Sequence, residues 1–307
     1  MIKSANVGAR HASPLHFSTF RMSFLFRTFA KNYRMKTSFV GGTILLMLCV
    51  FSGLLFVGIP ALIVGDENFV GLLIATQIGM WLLPALAYAF CCYEKPWDSM
   101  QVKVFGKRAD YGLFVLLYLI TLPLIGYLAE ISEYIPFFES LKEASRATEA
   151  RTKEFALQLV SGKTFKDLML ALLVMAVLPA ICEEVFFRGV VLNNLVKRNF
   201  GIHLSVWLSA ILFSAIHIEF LGFLSRVLIG AVLGYAFVYS KSLWLPIILH
   251  FLNNAILVVA YFILQEKILD DDEFSIPHWI AAICVIASVF LFRFLFNRYN
   301  ASHSNSE

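Results

Sequence analysis

The stretch LALLVMAVLPAICEEVFFRG, residues 170–189, decides how this chain reads. It is apolar from Leu170 to Cys182, with Pro179 inside the run, and then meets Glu183, Glu184 and Arg188. A helix that crosses a bilayer needs about 20 mostly apolar residues. A charge at its centre costs about 2.5–3.5 kcal/mol on insertion scales. If the helix continues to Lys197, Glu183 lies about 21 Å from that end at about 1.5 Å per residue. Charges at that depth need partners. Glu184 and Arg188 are four residues apart and can pair on one helix face. Glu183 points about 100° away from Glu184 and needs something else. Pro179 removes a helical hydrogen bond and can bend the helix at that point.

The rest of the chain agrees with a membrane setting. It has 307 residues, of which 59% are apolar and 15% charged. Soluble domains carry about 25% charged residues. Mean hydropathy is +0.76. A chain this apolar cannot hide its side chains in a water-soluble fold of this length, so the expectation is an all-α, polytopic membrane protein. The same numbers exclude a coiled coil, a collagen and a disordered chain. A net charge of +4 with no basic stripe beyond the first segment excludes a nucleic-acid module. The five cysteines, Cys49, Cys91, Cys92, Cys182 and Cys284, lie in or beside apolar stretches without C-x-x-C spacing. They read as reduced, buried side chains.

Apolar runs place about eight spans, at residues 39–64, 69–92, 111–130, 168–197, 203–221, 223–240, 243–264 and 277–296. Lys and Arg set the orientation. The first 37 residues hold Lys3, Arg10, Arg21, Arg27, Lys31, Arg34 and Lys36 and no acid. With eight spans, these fall on the same side as Lys95, Lys103, Lys107, Arg108, Lys197, Arg198, Lys241, Arg293 and Arg298. Asp66-Glu67 and the run Asp270 to Glu273 fall on the other. Both termini are expected in the cytoplasm. A transit peptide would share the composition of residues 1–38, but a basic cytoplasmic segment explains it more simply. The remaining organisation is residues 39–130 as accessory spans, 131–167 as a charged loop or helix, 168–265 as the core, and 266–307 as the last span with a basic tail. Segment 131–167 interleaves Lys142, Arg146 and Lys153 with acids such as Glu149. It reads either as an interfacial helix over a cavity mouth or as a plain charged connector.

Two further spans break their apolar pattern. The fifth reads SAILFSAIH and ends at His217, about 24 Å from Gly201. The seventh reads SLWLPIILHFLNN, with His250 and Asn254 four apart on one face. His250 lies only about 13 Å from Lys241, so tilt or a kink at Pro246 is required if the three sites are to meet. A carboxylate and an imidazole converging on one water can deprotonate it. A second imidazole and an amide N–H can hold a developing oxyanion. Two His and one Glu also form a known zinc set, and the absence of H-E-x-x-H does not decide the question. Phe213, one turn before His217, reads as a packing wedge. Gly230-x-x-x-Gly234 reads as close helix packing.

These residues carry a resemblance. Glu183-Glu184-Val185-Phe186-Phe187-Arg188 is similar to the E-E-x-x-x-R motif of the CAAX-processing and bacteriocin-processing (CPBP, or Abi) intramembrane endopeptidases, a family that includes the type II CAAX prenyl endopeptidases. Phe213 to His217 matches the family's F-x-x-x-H motif, and His250 to Asn254 its H-x-x-x-N motif. The resemblance covers about residues 165–265. It implies an all-α fold of eight helices with an intramembrane catalytic cavity. It implies that Glu183 and His217 activate water, that His250 and Asn254 stabilise the oxyanion, and that Glu184 and Arg188 position Glu183. It is compatible with zinc on Glu183, His217 and His250. Metal-free glutamate chemistry, with no cofactor, is the favoured expectation.

The function this implies is hydrolysis of a peptide bond near the C-terminus of a membrane-associated protein or peptide. A prenylated C-a-a-X protein is one such substrate. A bacterial cytoplasmic membrane is the expected location, with the lipid bilayer as partner. Two other classes stay open. A non-catalytic binding or immunity protein could keep the same fold. A proton-coupled transporter would also place carboxylates and His at the midplane, but it would carry inverted repeats, and the sequence displays none.

Overall fold

A computed structural model describes residues 69–102, 108–136, 139–217, 219–265 and 276–304, together with isolated positions between 43 and 53. The basic segment 1–38, most of the expected span 39–64 and the acidic run 270–273 lie outside the described residues. Among the described residues the chain is helical and contains no strand. The helices are α1 (Phe69–Cys92), α2 (Arg108–Tyr134), α3 (Glu139–Val160), α4 (Phe165–Lys197), α5 (Ile202–Ile216), α6 (Phe223–Ser240), α7 (Trp244–Leu264) and α8 (His278–Ser304).

Six of these are long and apolar enough to cross a membrane: α1, α4, α6, α7, the Tyr111–Tyr134 part of α2 and the His278–Ala301 part of α8. The expected count of eight is not reached among the described residues. The apolar run 203–221 accounts for one difference. Its helix, α5, stops at Ile216 and is about 22 Å long, short of the ~30 Å hydrocarbon core. The protein is an integral membrane protein in its surface as well as its lengths. Ile286 and Phe290 of α8 are 70% and 76% exposed, side chains that water would penalise and lipid accepts.

The core forms where α4, α5 and α6 meet. Phe187, Leu192, Val206, Ala210 and Leu233 are fully buried there. The α5–α6 contact depends on two glycines. A Cβ on Gly230 would lie 3.0 Å from the Ala210 Cα, and one on Gly234 would lie 2.9 Å from a Val206 methyl. Small residues let the two backbones approach, as the G-x-x-x-G spacing suggests. On the other side of α6, Ser225 Oγ donates to the Ile125 carbonyl of α2 at 2.7 Å. The loop after α1 ties down the start of α7. There Leu243 N donates to Gln101 O at 3.2 Å, and the Trp244 indole donates to Val102 O at 2.7 Å.

Local chemistry explains the boundaries that matter. Thr164 and Asp167 form a capping box at the start of α4, each side chain accepting from the other's backbone N–H. Gly201 supplies the positive φ, +76°, that turns the chain into α5. Pro246 stands in the first turn of α7, where its missing N–H has no intrahelical partner to lose, so it introduces no interior kink. Among the described residues three stretches are π-helical: Gln77–Leu82 in α1, and Leu173–Val177 and Val185–Leu192 in α4. The two in α4 bracket Glu183 and Glu184. Such stretches frequently mark functional sites.

The charged segment 131–167 contains helix α3, which is docked rather than free. Lys142 is buried, and its Nζ donates to the Glu133 carbonyl at the end of α2, where a cation meets the negative end of a helix. Ser145 Oγ accepts from Phe220 N at 2.6 Å, three residues beyond His217. Phe155 meets Phe69 of α1 with ring centroids 3.9 Å apart. The Arg146 pairs with Glu133 and Glu139 are exposed, so they add little. The expectation of buried cysteines holds for Cys182, but Cys91 is exposed and Cys92 and Cys284 are partly exposed, at the helix surface rather than in the core.

Candidate active site

The π-helical second half of α4 buries a full charge pair. Arg188 Nη1 and Glu184 Oε1 are 2.6 Å apart, with both side chains shielded from solvent. Arg188 Nη2 donates to Gly230 O on α6 at 2.9 Å, and its guanidinium lies 5.0 Å from the centre of the Phe213 ring. Buried charges persist only when paired and hydrogen-bonded, and Arg188 has an anion, a carbonyl and a ring face. The absence of a side chain on Gly230 lets α6 bring that carbonyl within reach.

Glu184 Oε1 also accepts from His250 Nδ1 at 2.8 Å. His217 Nδ1 lies 2.7 Å from the Phe213 carbonyl. A carboxylate and a carbonyl can only accept, so each Nδ1 carries a proton. The neutral form of each ring therefore offers a lone pair at Nε2, and the protonated form offers an N–H. Both Nε2 atoms face the same atom. Glu183 Oε2 is 4.0 Å from His217 Nε2 and 4.0 Å from His250 Nε2. The other carboxylate oxygen, Oε1, accepts from Gln77 Nε2 of α1 at 3.0 Å. The side chains of Glu183 and His250 are 7% and 6% exposed, and that of His217 is 30% exposed. The cluster therefore opens on the His217 side.

The structure thus brings together Glu183, Glu184, Arg188, His217, His250 and Phe213. Phe213 stacks edge-on to Phe187 at 5.0 Å, to His217 at 5.0 Å and to His250 at 5.9 Å, a wedge among the motif side chains. Asn254 follows one turn after His250. Its Oδ1 accepts from Asn253 Nδ2 at 2.9 Å, and Asn253 Oδ1 accepts from Tyr118 OH at 3.0 Å. That chain leaves the Asn254 amide N–H as its donor end. The unequal depths of His217 and His250 did not keep them apart. Distances counted along two helices compare directly only where the helices are parallel and start level. Sequence reasoning missed Gln77. Its signal was a lone amide in the apolar run GLLIATQIGMW.

The 4.0 Å spacing suits a bridging water directly. A water about 2.8 Å from both Oε2 and one Nε2 closes an angle of roughly 90°, within hydrogen-bonding geometry. A tetrahedral zinc with bonds of about 2.0–2.2 Å would hold its ligand atoms only ~3.4 Å apart. Among the described residues no three His, Cys, Asp or Glu side chains are arranged to hold a metal ion. In this arrangement the Glu183–His217 and Glu183–His250 pairs, each at 4.0 Å, stand wider than that zinc spacing.

Comparison with known proteins agrees with the motif reading. Residues 165–256 match the family model described as type II CAAX prenyl endopeptidase Rce1-like. The matched part of the chain, which holds all three motifs, is similar to the CAAX-protease family. A relative from Escherichia coli, described as an uncharacterized 24.3 kDa protein, is 26% identical over 179 residues, 50% of this chain and 82% of its own. No solved structure matches. The family points to intramembrane protease activity of the CAAX type.

Proposed function

We propose that this protein is an intramembrane endopeptidase that hydrolyses a peptide bond near the C-terminus of a membrane-associated protein or peptide, prenylated C-a-a-X proteins included, without a metal. The observation that supports this reading is the pair of imidazole Nε2 atoms at the same 4.0 Å from one oxygen of a buried carboxylate. A water in that gap donates one proton to Glu183 Oε2 and is oriented by His217 Nε2. Its oxygen attacks the scissile carbonyl. The oxyanion takes hydrogen bonds from the Asn254 amide and from the Nε2–H that His250 carries in its imidazolium form, with its Nδ1–H donating to Glu184. Glu183 then returns its proton to the leaving amine. Glu184 and Arg188 act through position and charge, away from the reacting atoms.

The test uses purified protein in detergent with a fluorogenic prenylated C-a-a-X peptide and a mixed peptide library, for wild type and Glu183→Gln, with and without chelator. The proposal expects cleavage that survives chelator and is lost in Glu183→Gln. Loss with chelator restores the zinc reading. Folded wild type that cleaves nothing in the library points instead to a non-catalytic binding or immunity protein.

A further inference from the structure

We propose that Gln77, which lies outside the segment that matches the family, is the positioning residue of the catalytic carboxylate; the inference rests on the endopeptidase reading and assigns a residue to its general base. The terminal torsion of a glutamate is broad and roughly two-fold, so nothing intrinsic to Glu183 fixes which oxygen meets the imidazoles. Gln77 removes that freedom. Its Nε2 donates to Oε1 at 3.0 Å, leaving Oε2 as the oxygen that faces both Nε2 atoms. The donor end is the one that must face Glu183, because an ionised carboxylate only accepts.

Two further observations agree. Gln77 opens the π-helical stretch of α1, and Trp81 in the same stretch packs on Phe186 and Phe187 of α4, with ring centroids 5.2 and 5.4 Å away. That contact locks the register between the helix carrying Gln77 and the helix carrying Glu183. The Gln77 amide oxygen is buried and has no hydrogen-bond partner among the described residues. A natural protein seldom retains such an atom unless the group serves a function that offsets its cost. An apolar side chain at this position would avoid the unpaired oxygen altogether, and only the bond to Glu183 would be lost. The bond is therefore what the residue is there to make.

The experiment compares wild type, Gln77→Leu, Gln77→Asn, Thr76→Val and Glu183→Gln in detergent. Gln77→Asn keeps the amide but falls one methylene short. Thr76→Val is the control, because Thr76 bonds to the Leu72 carbonyl of its own helix and, among the described residues, to no side chain of the site. Each protein is assayed for cleavage, and the infrared carboxyl band of Glu183 is read as the band lost in Glu183→Gln. Gln77→Leu and Gln77→Asn are expected to lower kcat about 10–100-fold with KM within about twofold, the size of effect that groups orienting a reactive side chain have. The band is expected to shift in both and to stay in place in Thr76→Val. A Gln77→Leu protein whose kcat stays within threefold of wild type, while Glu183→Gln is inactive, overturns the proposal. If wild type cleaves nothing, the endopeptidase reading fails by itself. A shifted band in Gln77→Leu then still upholds the hold on Glu183, and an unmoved band overturns it.

Discussion

Replacing Arg188 with methionine should be among the most damaging single changes in this protein, and the structure indicates how large the effect is. Arg188 and Glu184 are both sealed from solvent and 2.6 Å apart. Methionine keeps most of the volume but removes the cation, the bond to Gly230 O and the contact with the Phe213 ring. Breaking a buried pair by removing one partner costs about 3–5 kcal/mol, because the remaining charge has no counter-ion. Here His250 Nδ1 also bonds Glu184 Oε1 and can supply a compensating charge by protonation, so the lower end, about 3 kcal/mol, applies. The assay is denaturant unfolding in micelles, followed by loss of helical circular dichroism. The double change Glu184→Gln with Arg188→Met removes both charges and keeps an oxygen for His250. It should recover at least ~1 kcal/mol over Arg188→Met alone, because replacing a whole buried pair is far cheaper than halving it. A single variant that loses under ~1 kcal/mol, or a double variant no better than the single, refutes this account of the pair.

Two other expectations follow from the same contacts. Tyr118→Phe removes the donor to Asn253 Oδ1 in a buried setting, so stability should fall by about 1–3 kcal/mol. Cleavage should also fall, through the Asn253–Asn254 bond, and kcat and KM measured on the same preparation check this. Glu149 of α3 lies outside the membrane spans. Partial desolvation first, and then the Glu219 carboxylate, hold the pKa of this surface-exposed group above the usual value, against the opposing pull of Lys153 and Arg226. A carboxyl whose folded pKa is raised binds its proton more tightly when folded, so its contribution to stability is present at low pH and is lost as pH rises through the folded value. Glu149→Gln should therefore raise the melting temperature at pH 7.5 and give no gain at pH 4. A gain of equal size at both values would rule out the titration of Glu149 as its cause.

The sequence made the helices legible because a bilayer imposes one strong rule: backbone groups must be satisfied within the segment, so long apolar runs become helices. Glu183, Glu184, Arg188, His217 and His250 were legible for the converse reason, since each breaks such a run at a cost that demands a partner. What was hidden has physical causes too. Gln77 is uncharged and violates the rule only mildly, so it did not stand out beside Glu and Arg. The π-helical stretches change the angular register without changing composition, so no period in the sequence reports them. The end of α5 at Ile216 was invisible because Ile218, Phe220 and Leu221 continue the apolar run past the helix. The docking of α3 rests on side chains such as Ser145 and Lys142, whose partners are distant loops and helix ends that a local reading does not reach.

Gly230 is where the packing of the fold and the charge pair beside Glu183 are the same contact, and that can be separated from ordinary packing by comparing it with Gly234. A Cβ at 230 would meet the Ala210 backbone at 3.0 Å, which cannot yield without moving α5. A Cβ at 234 would meet a Val206 methyl at 2.9 Å, a side-chain atom one turn farther from Arg188. Both Gly230→Ala and Gly234→Ala should destabilise, by about 1–3 kcal/mol, the usual cost of overpacking. Their effects on activity should differ. At 230 the displacement acts on the carbonyl that accepts from Arg188 Nη2 and on α5, which ends at His217. At 234 it acts only on the far part of the α5–α6 contact. Cleavage measured well below both melting temperatures should therefore fall further in Gly230→Ala than in Gly234→Ala. Equal losses of kcat, or a Gly230→Ala enzyme as active as wild type, would show that the α5–α6 packing does not hold the site in place.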